Sequence, residues 1–232
     1  MSELVVSCRS ISRTYQDDAV PVRALRGVDF AVARGEFVSL AGPSGSGKST
    51  LLNIIGGLDR PDEGTVEVDG VQLNDLNEGE LSDLRLRKMG FVFQSYNLIP
   101  VLSARENVEF IMQLQGVSAA ERHGRAVAML EQLGLEGMSD RRPGEMSGGQ
   151  QQRVAVARAI VTHPVLLLAD EPSANLDSST TEELLKLLQQ LNEEQGVTIV
   201  TATHDPLVMS YAKRQVQLRD GQIIEDSARH AA

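Results

Sequence analysis

Three features that the sequence lacks or has few of limit the class of protein it can encode. It has a single cysteine, no long apolar run, and fewer basic than acidic residues. Cys8 cannot form a disulfide within the chain, which fits a cytoplasmic setting and an ordinary buried thiol. No uninterrupted apolar run approaches the roughly 18 residues that a membrane helix needs, so the chain is predicted not to cross a bilayer by itself. The start of the chain lacks a basic stretch followed by an apolar one, so no secretion signal is expected.

The charge balance excludes one class of partner. The formal net charge is -10, whereas a long, sequence-independent nucleic-acid surface gains its affinity by neutralising phosphates with basic side chains. No nucleic-acid partner is therefore expected. A local basic cluster, Arg85–Lys88, could still meet acidic groups, although such a run is also typical of a solvated helix face.

A glycine-rich loop is the most informative stretch. Residues Gly42–Ser49 match the phosphate-loop pattern G-x-x-x-x-G-K-[ST], between a strand-like Phe37–Leu40 and a helix-like Leu51–Ile55. Glycines let successive backbone N–H groups face an anion, and the following helix adds the positive end of its dipole. Lys48 is expected to reach the β- and γ-phosphates and the Ser49 hydroxyl to bind Mg²⁺. A simple glycine-rich turn before a helix would not require the Lys-Ser pair, so nucleotide binding is favoured.

Short strands and tight hairpins are predicted on either side of this loop. Leu4–Val6, Val22–Leu25 and Val28–Val32 are interpreted as separate short strands. Thr65–Leu73 and Val216–Ile224 each alternate around an Asp-Gly pair, which is typical of a two-residue hairpin turn. A small antiparallel element is therefore expected beside the nucleotide site.

The segment from about residue 95 to 160 is predicted to be mainly helical. It follows a buried-strand candidate, Met89–Phe93, which ends at Gln94. α/β proteins often place site groups at such a position, although a simple strand end explains Gln94 equally well. Two helix starts have capping-box spacing and two glycines are plausible stops; these are Ser103 with Glu106, Ser118 with Glu121, Gly116 and Gly134.

A third helix in this segment begins with two consecutive glycines, Gly148 and Gly149. Ser147 and Gln150 fit a capping box, so helix initiation explains part of the pattern. The glycines weaken a helix by about 1 kcal/mol each, which suggests that something approaches the backbone closely. An anion at the helix N-terminus is the natural candidate. Pro164 is expected to end this helix.

Two carboxylates follow the next apolar run. Val165–Ala169 is typical of a buried parallel strand, and Asp170 and Glu171 come directly after it. Adjacent acids repel unless a cation or hydrogen bonds offset their charge. Mg²⁺ on Asp170 and an attacking water on Glu171 would explain both.

The chain then predicts one more helix and strand of the same sheet. The helix is expected to start from a capping box, Ser179 to Glu182, and to stop at Gly196. The strand Val197–Thr203 ends at His204, and a lone histidine in such a place is more often structural than catalytic. His204 becomes a candidate because its strand is expected in the same parallel sheet as Gly42 and Asp170.

As an ordered set, these motifs resemble the nucleotide-binding subunits of ABC transporters. The resemblance covers nearly the whole chain and is carried by Gly42–Ser49, Gln94, Ser147–Gln150, Leu166–Glu171, Ser173–Asp177 and His204. It implies an α/β fold with a P-loop NTPase (RecA-like) core, an antiparallel β subdomain and an inserted α-helical subdomain. On this basis residues 1–94 and 161–232 are assigned approximately to the nucleotide-binding core, and residues 95–160 to the helical signature subdomain.

The resemblance also implies a role for each matching residue. The phosphate loop would hold ATP through Gly42, Ser44, Gly45, Ser46, Gly47, Lys48, Ser49 and Thr50. Tyr15 would stack on adenine, Gln94 would touch Mg²⁺ or the lytic water, Asp170 would support the metal, Glu171 would be the general base and His204 would contact the γ-phosphate. Ser147, Gly148, Gly149 and Gln150 of one subunit would close over ATP held by the other subunit, with Asp177 at the dimer interface.

Two departures and a subgroup follow from the same comparison. Met146 stands where the signature usually begins with Leu, a volume-conserving apolar exchange that is not expected to matter. Ser173 and Ala174 replace a commoner Thr-Gly, which puts loop stiffness and the timing of closure in question more than the chemistry. Leu51–Asp59 and Ala169–Pro172 look like the ATPases of macrolide exporters and lipoprotein-releasing complexes, the MacB and LolD type.

The expected protein is therefore an ATPase subunit at the inner face of the cell membrane. It would form a homodimer around ATP and Mg²⁺ and drive a separate transmembrane permease, because no fused membrane segment is present. A cell-division ATPase coupled to cell-wall hydrolases would share these features. A soluble ABC ATPase of DNA repair or translation is disfavoured, because neither a long coiled-coil insertion nor a second cassette is visible. Cargo and direction of transport are not encoded in these motifs.

Overall fold

The computed structural model describes residues 3–16 and 20–227. Its strands are β1 (Leu4–Tyr15), β2 (Val22–Ala33), β3 (Phe37–Ala41), β4 (Glu63–Val68), β5 (Val71–Gln72), β6 (Met89–Phe93), β7 (Leu166–Asp170), β8 (Thr198–Thr203), β9 (Arg214–Arg219) and β10 (Gln222–Asp226). Its α-helices are α1 (Lys48–Ile55), α2 (Glu78–Lys88), α3 (Ala104–Leu114), α4 (Ala119–Gln132), α5 (Gly148–Ile160), α6 (Ser178–Gln195) and α7 (Pro206–Tyr211). Residues 1–2, 17–19 and 228–232 of the predicted core lie outside the described residues.

A six-stranded sheet of order β10-β9-β3-β8-β7-β6 forms the centre of the fold. All its neighbouring pairs are parallel except β9 and β10, which form a hairpin. The register pairs Ala41 with Thr203, and Asp170 with both Ala202 and Phe93. The carboxyl ends of β3, β8, β7 and β6 therefore meet at one edge, as the sequence predicts for a common parallel sheet.

Hydrophobic cores lie on both faces of this sheet. Because side chains alternate along a strand, Phe37 and Ile199 enter one core while Val38 and Val200 enter the other. The first core also takes the apolar faces of α3, α4, α5 and α6, and the second takes α1 and the smaller sheet. Burial on both faces explains why β7 is almost continuously apolar.

The smaller sheet is antiparallel, with order β2-β1-β4-β5. The prediction of several short strands here is wrong, because β1 and β2 are each 12 residues long. Bulges interrupt the alternation on which the prediction relied; Ser10 and Gly27 have φ angles of 52° and 64°, and the register shifts repeatedly. Cys8 is buried in β1, where burial and then Asp29 raise the pKa of its thiol to about 12.

The two Asp-Gly hairpins are confirmed. Val68 pairs with Val71, and Arg219 with Gln222, which leaves two-residue turns at residues 69–70 and 220–221. Both residues of each turn have φ between 49° and 77°, as a type I′ turn requires.

The region from 95 to 160 contains α3, α4 and α5, although its division from the core as a subdomain stays a prediction. The Ser103–Glu106 capping box is complete, whereas at α4 the Ser118 hydroxyl accepts only from the Glu121 N–H. Helix α5 ends at Ile160, four residues before the Pro164 that was expected to stop it; His163 has a φ of 52° beyond its end. Helix α7 was not predicted.

The predicted start of α6 is wrong by two residues. Asp177, and not Ser179, is the N-cap, because its carboxylate accepts hydrogen bonds from the Thr180 N–H and from the Ser179 and Thr180 hydroxyls. Gly196, at a φ of 67°, ends the helix as expected. None of the helices in the described part of the chain is long and apolar enough to cross a membrane.

Candidate active site

The phosphate loop connects β3 to α1 at the carboxyl edge of the central sheet. Gly42 and Gly47 adopt φ angles of 147° and 103°, and a Cβ there would lie 2.1 Å from the Leu218 carbonyl oxygen and 2.5 Å from that of Ala24. Glycine is therefore required at both positions. Gly47 is also the N-cap of α1 and offers no capping side chain, which leaves the first N–H groups of the helix for an anion.

Lys48 lies across this loop. Its Nζ donates to the carbonyl oxygens of Gly42 (2.8 Å) and Pro43 (3.0 Å), and the residue is buried. Both acceptors belong to the loop itself, so the ammonium group is held where a phosphate on the loop would need a positive charge.

Ser49 and Asp170 meet at the neighbouring strand end. The Ser49 hydroxyl donates to Asp170 Oδ1 at 3.0 Å, although the two residues are far apart in sequence. Burial raises the pKa of Asp170, the nearby Glu171 raises it further, and Ser49 and Lys48 act in the opposite direction. The Ser49 hydroxyl and the Asp170 carboxylate, whose negative charge is only partly balanced, both offer hard oxygen ligands suited to Mg²⁺. This ion usually binds one or two protein carboxylates together with phosphate oxygens and water. No group of three His, Cys, Asp or Glu side chains with metal-binding geometry occurs among the described residues.

Glu171 and His204 form a pair between adjacent strand ends. Glu171 Oε1 lies 2.7 Å from His204 Nδ1, and the Thr203 hydroxyl donates to Glu171 Oε2 at 3.3 Å. Glu171 has a φ of 45°, a strained value for a non-glycine residue and one that often marks functional sites. The His204 side chain is 68% exposed whereas that of Glu171 is 17% exposed, so the carboxylate is sheltered and the imidazole faces outward.

The start of α5 has the predicted capping box, and side chains of the same chain lie close to its two glycines. The Ser147 hydroxyl accepts from the Gln150 N–H and Gln150 Oε1 accepts from the Ser147 N–H, which completes the capping box. A Cβ at Gly149 would lie 2.4 Å from the Thr180 methyl carbon, and one at Gly148 2.9 Å from the Tyr96 hydroxyl oxygen. Side chains of the same chain therefore crowd both glycines, and the anion that the sequence suggests at this helix start stays a prediction.

The structure does not join this helix start to the phosphate loop. Within residues 3–16 and 20–227, no hydrogen bond or ion pair connects residues 147–150 with residues 42–50. One chain thus carries a phosphate cradle and a separate capped helix N-terminus.

Tyr15 is held in place by its neighbours. Its hydroxyl donates to Asp59 Oδ2 at 2.6 Å, and the Arg13 guanidinium carbon lies 4.9 Å from the centre of its ring. Burial and then the Asp59 hydrogen bond raise the pKa of Tyr15, while contacts with Thr50 and Arg13 lower it. The ring therefore stands beside the end of the phosphate loop.

Gln94 and Asp177 belong to one connected loop region. The Gln94 side chain is exposed, and its backbone carbonyl accepts from Asn175 Nδ2 at 2.8 Å. The capping hydrogen bonds from Ser179 and Thr180 hold the pKa of Asp177 well below its usual range. Asn175 thus links the loop after Glu171 to the end of β6.

Sequence reasoning missed two buried amides near the site. Gln152 Nε2 donates to the Pro172 carbonyl at 2.7 Å, which ties α5 to the loop after Glu171. Asn107 is fully buried in α3 and hydrogen-bonds the backbone of Ile99, Leu102 and Ser103. The available signal was an amide side chain on an otherwise apolar helix face, because such a group is buried only when it has partners.

A phosphate loop between a parallel strand and a helix, with a hydroxyl–carboxylate pair and a second carboxylate at adjacent strand ends, defines a P-loop nucleotide hydrolase. The family model described as ABC transporter matches residues 25–174. The chain therefore belongs to the ABC transporter family and is an ABC-type ATPase domain, which confirms the predicted family and fold class.

Relatives and solved structures place it more closely. It is 48% identical over 225 residues to a macrolide export ATP-binding/permease protein MacB of Syntrophobacter fumaroxidans, covering 96% of this chain and 32% of that protein. It is 47% identical over 223 residues to the uncharacterised ABC transporter ATP-binding protein MJ0796 of Methanocaldococcus jannaschii, covering 94% and 95% of the two chains. A dimeric, post-hydrolysis structure of MJ0796 bound to ADP and Pi matches with a TM-score of 0.89 and 45% identity, covering 95% and 97% of the two chains. The chain thus spans about a third of the MacB relative and nearly all of MJ0796.

Proposed function

We propose that this chain is the ATP-hydrolysing subunit of a MacB/LolD-type assembly, which dimerises around two ATP molecules and drives a separate membrane subunit. The observation that carries the proposal is the alignment of two pairs at adjacent strand ends, Ser49 with Asp170 and Glu171 with His204, beside the phosphate loop. The first pair suits a magnesium nucleotide and the second suits the activation of water.

The residues of this chain divide the hydrolytic step between them. Backbone N–H groups of the loop and Lys48 would bind the phosphates, and Ser49 and Asp170, with Gln94 nearby, would hold Mg²⁺. The bound ion would supply positive charge against the phosphates. Glu171 accepts a proton from water as the water oxygen bonds to the γ-phosphorus, and the bond between that phosphorus and the bridging oxygen breaks, which leaves ADP and phosphate. His204 orients the carboxylate of Glu171 through Nδ1 and contacts the γ-phosphate.

Dimerisation follows from the separation of the two half-sites. Residues 147–150 make no hydrogen bond with the phosphate loop of their own chain, yet Ser147 and the N-terminus of α5 can bind an anion. The related MJ0796 cassette is a dimer in its structure with ADP and Pi. We therefore assign the start of α5 to the nucleotide of a second copy, with Tyr15 stacking on adenine and Asp177 at the interface.

A cavity of about 370 Å³ is the proposed docking groove for the membrane subunit. Its lining includes Leu58, Phe93, Asn97, Arg85 and Arg158. Apolar side chains in the loop of residues 95–100 would favour partner contact on sequence grounds, but Leu98 packs against the core and the Tyr96 hydroxyl lies beside Gly148. Asn97 is the member of that segment that reaches the groove. Binding there would place the protein on the cytoplasmic face of a membrane.

The groove is tested by paired substitutions of exposed aliphatic residues. Leu58→Arg adds a charge inside the groove, whereas Ile224→Arg makes the same change on β10, outside it. Affinity purification from native membranes should recover a membrane protein with Ile224→Arg and wild type but not with Leu58→Arg. Equal recovery with both variants would remove the groove from this role.

The identity of the recovered partner separates the related functions. A partner with few membrane spans and a large extracytoplasmic domain supports the MacB/LolD assembly. Cell-wall hydrolases in the same purification would favour the cell-division alternative, and the absence of any membrane partner would favour a soluble ABC ATPase.

The hydrolytic role is tested by Glu171→Gln. Loss of the base should lower turnover about 10²-fold or more while ATP binding persists. Glu136→Gln is the matched control, because it makes the same change at an exposed residue away from the site. Steady-state phosphate release and retention of labelled ATP distinguish the two variants. Near-normal turnover in Glu171→Gln would show that Glu171 is not the base.

A further inference from the structure

The loop after Gln94 contains an unusual turn. Tyr96 and Asn97 are consecutive non-glycine residues with φ angles of 59° and 49°. This left-handed region is unfavourable for L-residues other than glycine, and it is tolerated better by Asn than by Tyr. Two such residues in succession need contacts that hold them there.

Arg158 of α5 supplies those contacts. One guanidinium nitrogen donates to the Tyr96 carbonyl at 2.9 Å and another to the Asn97 carbonyl at 2.5 Å. The planar guanidinium group thus bridges two successive carbonyls, which the single ammonium nitrogen of a lysine would not reproduce.

This guanidinium has no other evident task. In the described part of the chain its hydrogen bonds reach only those two carbonyls, and it forms no ion pair. Burial lowers its pKa, as expected for a cation with no carboxylate beside it. The half-buried charge of Arg158 is therefore not compensated by an acidic group, and a salt bridge does not account for its presence here.

The turn is directly connected to Gln94. The Tyr96 N–H donates to the Phe93 carbonyl at 3.1 Å, and Asn175 Nδ2 donates to the Gln94 carbonyl between them. If the turn relaxed, the backbone of Gln94 would shift against the loop that follows Glu171. Arg158 and Asn97 also line the docking groove, so the turn lies between that groove and Gln94.

We propose that Arg158 is a positioning residue that fixes the reach of Gln94 by locking Tyr96 and Asn97 in the left-handed conformation. This inference rests on the proposed role of Gln94 at Mg²⁺ and the lytic water. Arg158 does not touch the nucleotide and acts on turnover through the loop.

A double-mutant cycle with Arg158→Lys and Gln94→Ala tests the inference on the full chain. Arg158→Lys keeps the charge but loses the fork, so kcat should fall about 10-fold and the Mg²⁺ concentration for half-maximal rate should rise, with KM for ATP changed less than about 2-fold. In the Gln94→Ala background the same substitution should change kcat less than about 2-fold, because the residue through which it acts is already gone. Arg153→Lys, on the same helix, bonds Leu133 and Glu183 and should leave kcat unaltered.

The turn can also be perturbed without touching Arg158, which covers a folding defect in the arginine variant. Asn97→Val introduces a β-branched residue that resists a positive φ, so it should reproduce both the loss of kcat and the non-additivity with Gln94→Ala. Full additivity in both cycles, or unchanged kcat in Arg158→Lys, would overturn the inference. Unchanged kcat in Gln94→Ala alone would instead refute the role proposed for Gln94.

Discussion

The negative charge of the partly buried Asp170 carboxylate is only partly balanced by its neighbours. Its pKa is raised mainly by burial, so between about pH 4 and that raised pKa the folded chain binds more protons than the unfolded chain. The free energy of unfolding therefore falls as pH rises through this window, and the ionised carboxylate remains a destabilising group above it.

Asp170→Asn should remove that penalty. Without nucleotide and with EDTA, the variant is expected to have a Tm a few degrees above wild type at pH 7, and the difference should shrink as pH is lowered toward 4. Stabilisation by ATP should no longer increase on addition of Mg²⁺, because the proposed metal ligand is lost. Thermal unfolding at the two pH values measures both effects. A lower Tm for Asp170→Asn at pH 7 would contradict the assignment of a poorly compensated carboxylate.

Residue types in a fixed order predicted most of the site, but not its local bonding. Lys48, Ser49 and Asp170 are brought together as expected because parallel strand ends share one edge. Asp177 was assigned only to an interface, although it also caps α6; a serine two residues later offered an equally good capping pattern. The choice between the two depends on hydrogen-bond geometry, which spacing alone does not specify.

At the scale of single elements, helices α3 and α5 both begin with a serine capping box but differ in the function proposed for it. Ser103 and Ser147 each close a complete capping box, on α3 and α5 respectively. Only the second is assigned to a nucleotide of another copy. Comparing substitutions at Ser103 and Ser147 therefore distinguishes an effect on helix capping from an effect on nucleotide binding.

Ser103→Ala and Ser147→Ala should each lower the free energy of unfolding by about 1 kcal/mol, since each loses one cap. Only Ser147→Ala should weaken turnover, by roughly 10-fold at low protein concentration, because it also loses the hydroxyl proposed to contact the nucleotide of a second copy. Urea unfolding and phosphate release provide the two measurements. Equal turnover in the two variants would confine Ser147 to a capping role.

Strand prediction succeeded where side chains alternate cleanly and failed where bulges intervene. The hairpins at residues 69–70 and 220–221 were recognised because Asp-Gly fits the positive φ of both turn positions. Strand β1 was predicted too short and β2 was divided in two, because a shift of register moves every later side chain to the opposite face. Helix α7 is six residues long and was below what a periodic pattern can reveal.

At the scale of the whole molecule, the central sheet separates two cores and presents its functional residues at one edge. The phosphate cradle and the start of α5 both belong to this chain, yet they are not joined within it. If a second copy supplies its own start of α5 to the phosphate cradle, each site is completed across the interface. The nucleotide is then part of that interface. Binding and hydrolysis of ATP would in this way control the association of two chains.

The most direct test is the molar mass of Glu171→Gln in solution, measured by light scattering with Mg²⁺-ATP. The chain has a mass of 25.2 kDa, and the variant should scatter as twice that mass with ATP and as a single chain with ADP. Adding Ser147→Arg should return it to a single chain that still holds ATP, whereas adding Glu136→Gln should leave the dimer intact. An ATP-bound Glu171→Gln that stays a single chain, or a dimer that survives Ser147→Arg, would contradict the composite site.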